Sequence, residues 1–158
     1  MLFCLLRFGR AKSLHIRTYD SDVNTGRLFP IKAGVTLNSQ QVKDLHYHMP
    51  MIRVCLENSD DSTAVKYHVG KNTYVEVVPE RGMVDFRHYF YLSANELHPT
   101  RRGIQIDRTQ YDKLEENFSQ ILSAWGGEMN DNTPCFLTHD SEESFRACCH
   151  CNPPYDGE

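Results

Sequence analysis

Six cationic side chains, Arg17, Lys32, Arg81, Arg87, Arg101 and Arg102, stand in stretches that also hold Phe8, Tyr74, Tyr89, Phe90 and Tyr91. Spaced cations beside flat rings suit an unpaired polynucleotide strand, which offers phosphates at intervals and unstacked base faces between them. Stacking on an aromatic contributes roughly 1 to 3 kcal/mol per base by alanine substitution, so two or three rings could dominate such binding. Arginine adds bidentate hydrogen bonding to phosphate and stacking of its own. Each residue also has a plainer reading. Rings at alternating positions of a small sheet can be core, Arg87 can serve a cross-strand salt bridge, and Arg101 and Arg102 beside a glycine can be a solvated loop.

A second group has the donor types of a zinc site. Cys135, His139, Cys148 and Cys151 read as Cys-x3-His followed by Cys-x2-Cys, with Cys149 or His150 as possible substitutes. The interval from His139 to Cys148 is loose, so the expectation is free thiols on an unstructured end and no metal or other cofactor. His15, His46, His48, His68, His88 and His98 lack a partnered serine, cysteine or acid in any pattern that builds a nucleophile or general base. Catalysis is therefore not expected. Gly126-Gly127 reads as a helix stop rather than a phosphate loop.

The elements that must position these residues are announced by an internal repeat. Leu14 to Leu45 realigns on Val84 to Leu114, with Arg17 over Arg87, Tyr19 over Tyr89 and Leu28-Phe29-Pro30 over Leu97-His98-Pro99. The register continues through Lys32 over Arg101, Gly34 over Gly103 and Leu45 over Leu114. Two similar units in one chain mean two small domains or one domain with pseudo-two-fold symmetry. In the second copy Tyr67 to Gly70 and Thr73 to Val78 are short strand-like runs and Pro79-Glu80-Arg81-Gly82 is a turn. Met83 to Leu92 then alternates so that Arg87 and Tyr89 share one face while Val84 and Phe86 take the other. After a short strand at Gly103 to Ile106, Asp107 sits where an N-cap belongs, and a helix over about 108–125 carries Tyr111, Leu114, Phe118, Ile121, Leu122 and Trp125 on one stripe. In the first copy Asn38 or Ser39 caps a helix with Val42, Leu45, Met49, Ile52 and Leu56 aligned, bent by Pro50. That copy begins near its second strand, so its sheet is one strand short.

At 158 residues the chain fits one compact domain or two units close to the lower limit for a self-sufficient core. No stretch approaches the ~20 apolar residues of a membrane span. Net charge is −4, but it is segregated: +4 over 1–34, −2 over 35–65, +2 over 66–108 and −8 over 109–158. Both repeat cores are basic, while the link and the tail carry the acid. Four of the six cysteines fall in the last 24 residues, a distribution that favours a reduced, intracellular compartment over a disulfide framework. The acid-free opening could pass for an organelle transit peptide, but the repeat already starts at Leu14.

The second unit resembles the single-stranded-DNA-binding domain of the transcriptional positive cofactor four family. The resemblance runs from Tyr67 to Ala124 and is carried by Asp85-Phe86-Arg87-His88-Tyr89, by Pro99-Thr100-Arg101-Arg102-Gly103-Ile104, and by the helix containing Gln110-Tyr111-Asp112-Lys113-Leu114. Leu14 to Leu56 is similar to the same domain more weakly. The resemblance implies a curved four-stranded antiparallel sheet followed by a bent helix, with two such domains pairing through their helices. It implies no catalytic residues. It places the family's basic strand residue on Arg87 and Arg17, and its strand-ending aromatic on Phe90 but on Asp20 in the first copy. Its basic pair before the glycine falls on Arg101 and Arg102, and on Lys32 and Ala33. Of the family's aromatic-basic-glycine-basic hairpin only Arg81 matches in the second copy, while Phe8-Gly9-Arg10 is similar to it in the first.

The expected architecture is thus α+β: two tandem units, each a curved antiparallel sheet of about four strands followed by a bent helix, pairing as an intrachain pseudo-dimer. The first unit is expected over 1–57, a linker over 58–65, the second unit over 66–126, and a disordered acidic tail over 127–158. The expected function is binding of single-stranded or melted DNA through Arg17, Lys32, Arg81, Arg87, Tyr89, Phe90, Arg101 and Arg102. The resemblance implies a nuclear coactivator or DNA-repair accessory factor with transcription-machinery partners, monomeric through intrachain pairing or homodimeric. The competing expectation is a protein-interaction module that keeps the fold and has lost DNA binding.

Overall fold

A computed structural model describes residues 2–8, 11–58, 63–93, 96–129, 131 and 133–153, with the side chains of 2–8 and Glu128 outside the description. Among the described residues the architecture is α+β, with two antiparallel sheets and three α-helices. The first sheet has three strands in the order β1 (Leu2–Phe8), β2 (Ala11–Ser21) and β3 (Leu28–Leu37), and α1 (Ser39–Glu57) follows it. The second has four, β4 (Val65–His68), β5 (Thr73–Val78), β6 (Met83–Ser93) and β7 (Glu96–Asp107), and α2 (Arg108–Trp125) follows it. A short α3 (Glu142–Ala147) lies near the C-terminus.

The sequence repeat is visible in the burial and in the caps. Leu14 and Ile16 on β2 are buried as Val84 and Phe86 are on β6, and Val35 and Leu37 on β3 as Ile104 and Ile106 are on β7. Along the helices, buried Val42, Leu45, Met49 and Leu56 correspond to Tyr111, Leu114, Phe118 and Trp125. Each fully buried apolar side chain contributes about 1.5 to 3 kcal/mol, so these positions hold the sheets and helices together. Both helices start at a reciprocal capping box: Asn38 with Gln41, and Asp107 with Gln110. α1 continues through Pro50, which is exposed, and α2 stops at Gly126 with φ +64.

Residues of both sequence halves share one apolar core. β3 approaches β7, and α1 packs on α2 as well as on β4 and β5. The helix contact contains Arg53, which forms ion pairs with Asp112 at 2.7 Å and with Glu115, and whose guanidinium lies 5.3 Å over the Tyr111 ring. His46 stacks on Phe118 at 5.6 Å, and the Tyr111 hydroxyl donates to the Met49 carbonyl at 3.4 Å.

The stretch after Gly126 corrects the expectation of a disordered tail without a place in the fold. Met129 and Cys151 are buried, Phe136 stacks on His48 of α1 at 5.0 Å, and Ser141 caps α3. Its backbone closes onto the β4–β5 turn: Lys71 N–H donates to the His150 carbonyl at 2.6 Å and Asn72 N–H to the Cys151 carbonyl at 3.1 Å. That turn needs support, because Lys71 and Asn72 have φ of +50° and +54°, a left-handed conformation that costs non-glycine residues energy. Low hydrophobicity in sequence concealed a segment held by backbone hydrogen bonds and a few rings. Residues 154–158 lie outside the description.

Candidate nucleic-acid interface and a thiol cluster

The cations are organised by one backbone device that occurs twice. On β6 and β7, Arg87 pairs with Gly103 but Tyr89 pairs with Pro99, so two steps on β6 face four on β7. On β2 and β3, Arg17 pairs with Gly34 and Tyr19 with Pro30, the same irregularity. The extra residues form a bulge at 100–102 and at 31–33, and a bulge turns side chains out of the pleat. Arg101, Arg102 and Lys32 sit on these bulges and are exposed.

The strand arginines hold the bulges in place. Arg87 Nη1 donates to the Thr100 carbonyl at 3.0 Å, and Arg17 Nη1 to the Ile31 carbonyl at 3.0 Å. In both cases the arginine stem crosses a glycine. A Cβ on Gly103 would stand 2.8 Å from Arg87 Cζ and 2.7 Å from the Phe86 carbonyl, and one on Gly34 would stand 2.8 Å from Arg17 Cγ. Glycine is required there for close approach. Thr100 completes the second bulge, its hydroxyl donating to the His88 carbonyl at 2.9 Å and accepting from Arg102 N–H at 3.1 Å. Arg87 also forms a 3.1 Å ion pair with Asp85, two residues back on its own strand. It is therefore half-buried and partly neutralised, and the expected salt-bridge alternative holds for it along the strand rather than across it.

Burial, with the charges of Arg102 and Lys71 nearby, holds the His88 imidazole below its ordinary range. His88 Nδ1 lies 2.9 Å from the Thr73 hydroxyl. A neutral ring beside the bulge leaves the positive charge there to the arginines.

The aromatic positions divide. Tyr89 is a correction to the sequence reading: only 5% exposed, it lies under the Lys66 ammonium at 5.0 Å and edge-on to Tyr74 at 5.2 Å. Burial pushes its phenol up to about 12. It is packed against Tyr74 and Lys66 on the face it shares with Arg87, not an open platform for a base. Phe90 is half-buried, 5.8 Å from the His98 ring, and Tyr91 is 41% exposed with its hydroxyl 3.2 Å from that of buried Tyr74. In the first sheet Asp20, where the aromatic is lost, pairs with Phe29, which is 45% exposed. Sequence reasoning missed Phe29 although the alignment of Leu28-Phe29-Pro30 on Leu97-His98-Pro99 already placed it across from the loss. The side chain of Phe8, and residues Gly9 and Arg10, lie outside the description.

Arg81 stands apart from the other cations. It is exposed in the turn Pro79–Arg81 before Met83, which pairs with Asp107 beside the start of α2. Four steps along β6 lead from Met83 to Arg87, roughly 14 Å at 3.4 Å per residue. The structure thus groups Arg17 with Lys32 and Arg87 with Arg101 and Arg102, and leaves Arg81 at the other end of its sheet.

The thiol cluster is compact. Cys135, His139, Cys148 and Cys151 place one donor atom each within 4.8 Å of all the others. Cys135 Sγ lies 3.7 Å from Cys148 Sγ and 3.8 Å from His139 Nε2, which is 3.4 Å from Cys151 Sγ. Backbone N–H groups of Cys151 and His150 bond the Cys148 sulfur. His150 turns instead to the buried carboxylate of Asp44 on α1, 3.3 Å away, and Cys149 is exposed. Asp44 also accepts from Cys135 N–H at 3.2 Å. Burial pushes the His68 imidazole down to about 4, and this neutral ring donates from Nε2 to the Cys151 carbonyl at 2.9 Å while Nδ1 accepts from Gly70 N–H at 3.4 Å.

No protein-family model matches the chain, and no solved structure matches it. No helix among the described residues is long and apolar enough to cross a membrane.

Proposed function

We propose that this chain binds single-stranded or locally melted DNA in the manner of the positive cofactor four family, with two cofactor-like units pairing inside one chain as a pseudo-dimer. The observation that carries the reading is the repeated device of strand arginine, facing glycine and cation-bearing bulge at Arg17, Gly34 and Lys32 and at Arg87, Gly103 and Arg101-Arg102. A fold can be kept for its core alone, and a core needs no exposed arginines on a bulge held open by a buried-stem arginine. Exposed cations with no ion-pair partner among the described residues, beside half-open Phe90, Tyr91 and Phe29, are what a sequence-tolerant single-strand site uses.

The pairing is supported by the shared core, by the contact of β3 with β7, and by the Arg53, Tyr111 and Met49 contacts between the helices. The chain then supplies both halves of a site that the family builds from two. A nuclear role in transcription or repair follows from this reading, with proteins of those machineries as partners.

Fluorescence anisotropy with a labelled single-stranded oligonucleotide across a salt series tests it. Micromolar or tighter affinity is expected at low salt, falling with slope roughly 0.7 per phosphate neutralised as counterions are released. A flat response at high protein concentration would remove DNA binding and leave the protein-interaction module as the better account.

A further inference from the structure

We propose that Cys135, His139, Cys148 and Cys151 hold a structural zinc ion that fastens the C-terminal segment across α1 and the β4–β5 turn. Zinc with sulfur ligands at about 2.3 Å and nitrogen at about 2.0–2.1 Å, arranged tetrahedrally, separates neighbouring sulfurs by roughly 3.8 Å and sulfur from nitrogen by roughly 3.6 Å. The cluster's 3.7 Å sulfur separation and its 3.8 and 3.4 Å sulfur-to-nitrogen separations match those edges. A disulfide fits none of them, since bonded sulfurs stand about 2.05 Å apart. Three thiolates and an imidazole are the soft donor set that selects zinc among common divalent ions, and four protein ligands close the site, as in structural centres.

The surroundings are built for thiolates. The N–H groups of His150 and Cys151 bond the Cys148 sulfur, the hydrogen bonding that a Cys-x2-Cys turn gives to a metal-bound thiolate. Asp44 anchors the cluster from outside by accepting from Cys135 N–H and facing His150. From the other side Lys71, Asn72 and His68 hold the His150 and Cys151 carbonyls. The metal therefore ties a helix that follows the first sheet to a turn of the second, and replaces thiol protons with a bond that a short, largely polar segment cannot match by burial.

The test uses the full chain purified under reducing conditions. Native mass spectrometry is expected to find one zinc per chain, and the chain stripped of metal and titrated with cobalt(II) to show the intense bands of tetrahedral cobalt with thiolate charge transfer. Cys148→Ser combined with Cys151→Ser abolishes stoichiometric metal, whereas Cys149→Ser retains one equivalent. A reduced chain that takes up neither zinc nor cobalt, a mass showing the cluster thiols joined as disulfide, or a Cys148/Cys151 double variant that keeps its zinc overturns the proposal. None of these readouts depends on DNA binding.

Discussion

Arg87 and its neighbours Arg101 and Arg102 carry the same charge, yet their surroundings assign them different work. Arg87 spends its guanidinium on Asp85 and on the Thr100 carbonyl, so it shapes the bulge. Arg101 and Arg102 are exposed on that bulge and free to meet phosphate. Arg101→Ala with Arg102→Ala is expected to leave the thermal transition in place while weakening oligonucleotide binding roughly tenfold per arginine, about 1.4 kcal/mol each. The salt slope falls by roughly 0.7 for each phosphate that the variant no longer neutralises. A double variant that binds like the parent places the site elsewhere. The sequence showed these two residues and their glycine, because all three are adjacent. It misjudged the openness of Tyr89, because alternation gives the face, shared with Arg87, but not the cover that Tyr74 and Lys66 of the neighbouring strands lay over it, far away in sequence.

At the scale of elements, the repeat and the helix starts were legible because each is written in adjacent or evenly spaced residues. The four thiol-cluster residues were named in the sequence but their convergence was discounted for the opposite reason: α3 folds the chain back so that His139 and Cys148 come near one another, and the interval looks loose until that helix is drawn. Ser141 with Ser144 three residues later was the available signal for its start. The caps also yield a prediction. Asn38 and Asp107 each accept from the N–H three residues on, at 2.9 and 2.8 Å. Replacing either with alanine removes about 1 kcal/mol, a shift of about 2–4 °C in Tm for a chain of this size. Because α1 and α2 share one core, the double variant is expected to lower a single transition by the sum of the two effects. Two separate transitions in calorimetry would show that the halves unfold independently and that their contact is weak.

For the whole molecule, the decisive question is what occupies the helix surface that a lone unit would expose. Here α1 covers α2, Arg53 is matched by Asp112 and Glu115, and Lys12 of the first sheet donates to the Ala124 carbonyl at the end of α2 at 2.7 Å. On the proposed pairing, the surface that would recruit a second chain is filled from within. A competing pull comes from the first sheet, whose order ends at β1 with no further strand among the described residues, and an unpaired edge is a template for another chain. The contact between the helices already buries Tyr111, Met49 and Phe118. Sedimentation equilibrium at micromolar concentration is therefore expected to return the mass of one chain, 18.3 kDa. Twice that mass would mean that the edge wins and that the proposed DNA site is assembled from four units rather than two. A charged or proline substitution within β1 would then restore the single-chain mass.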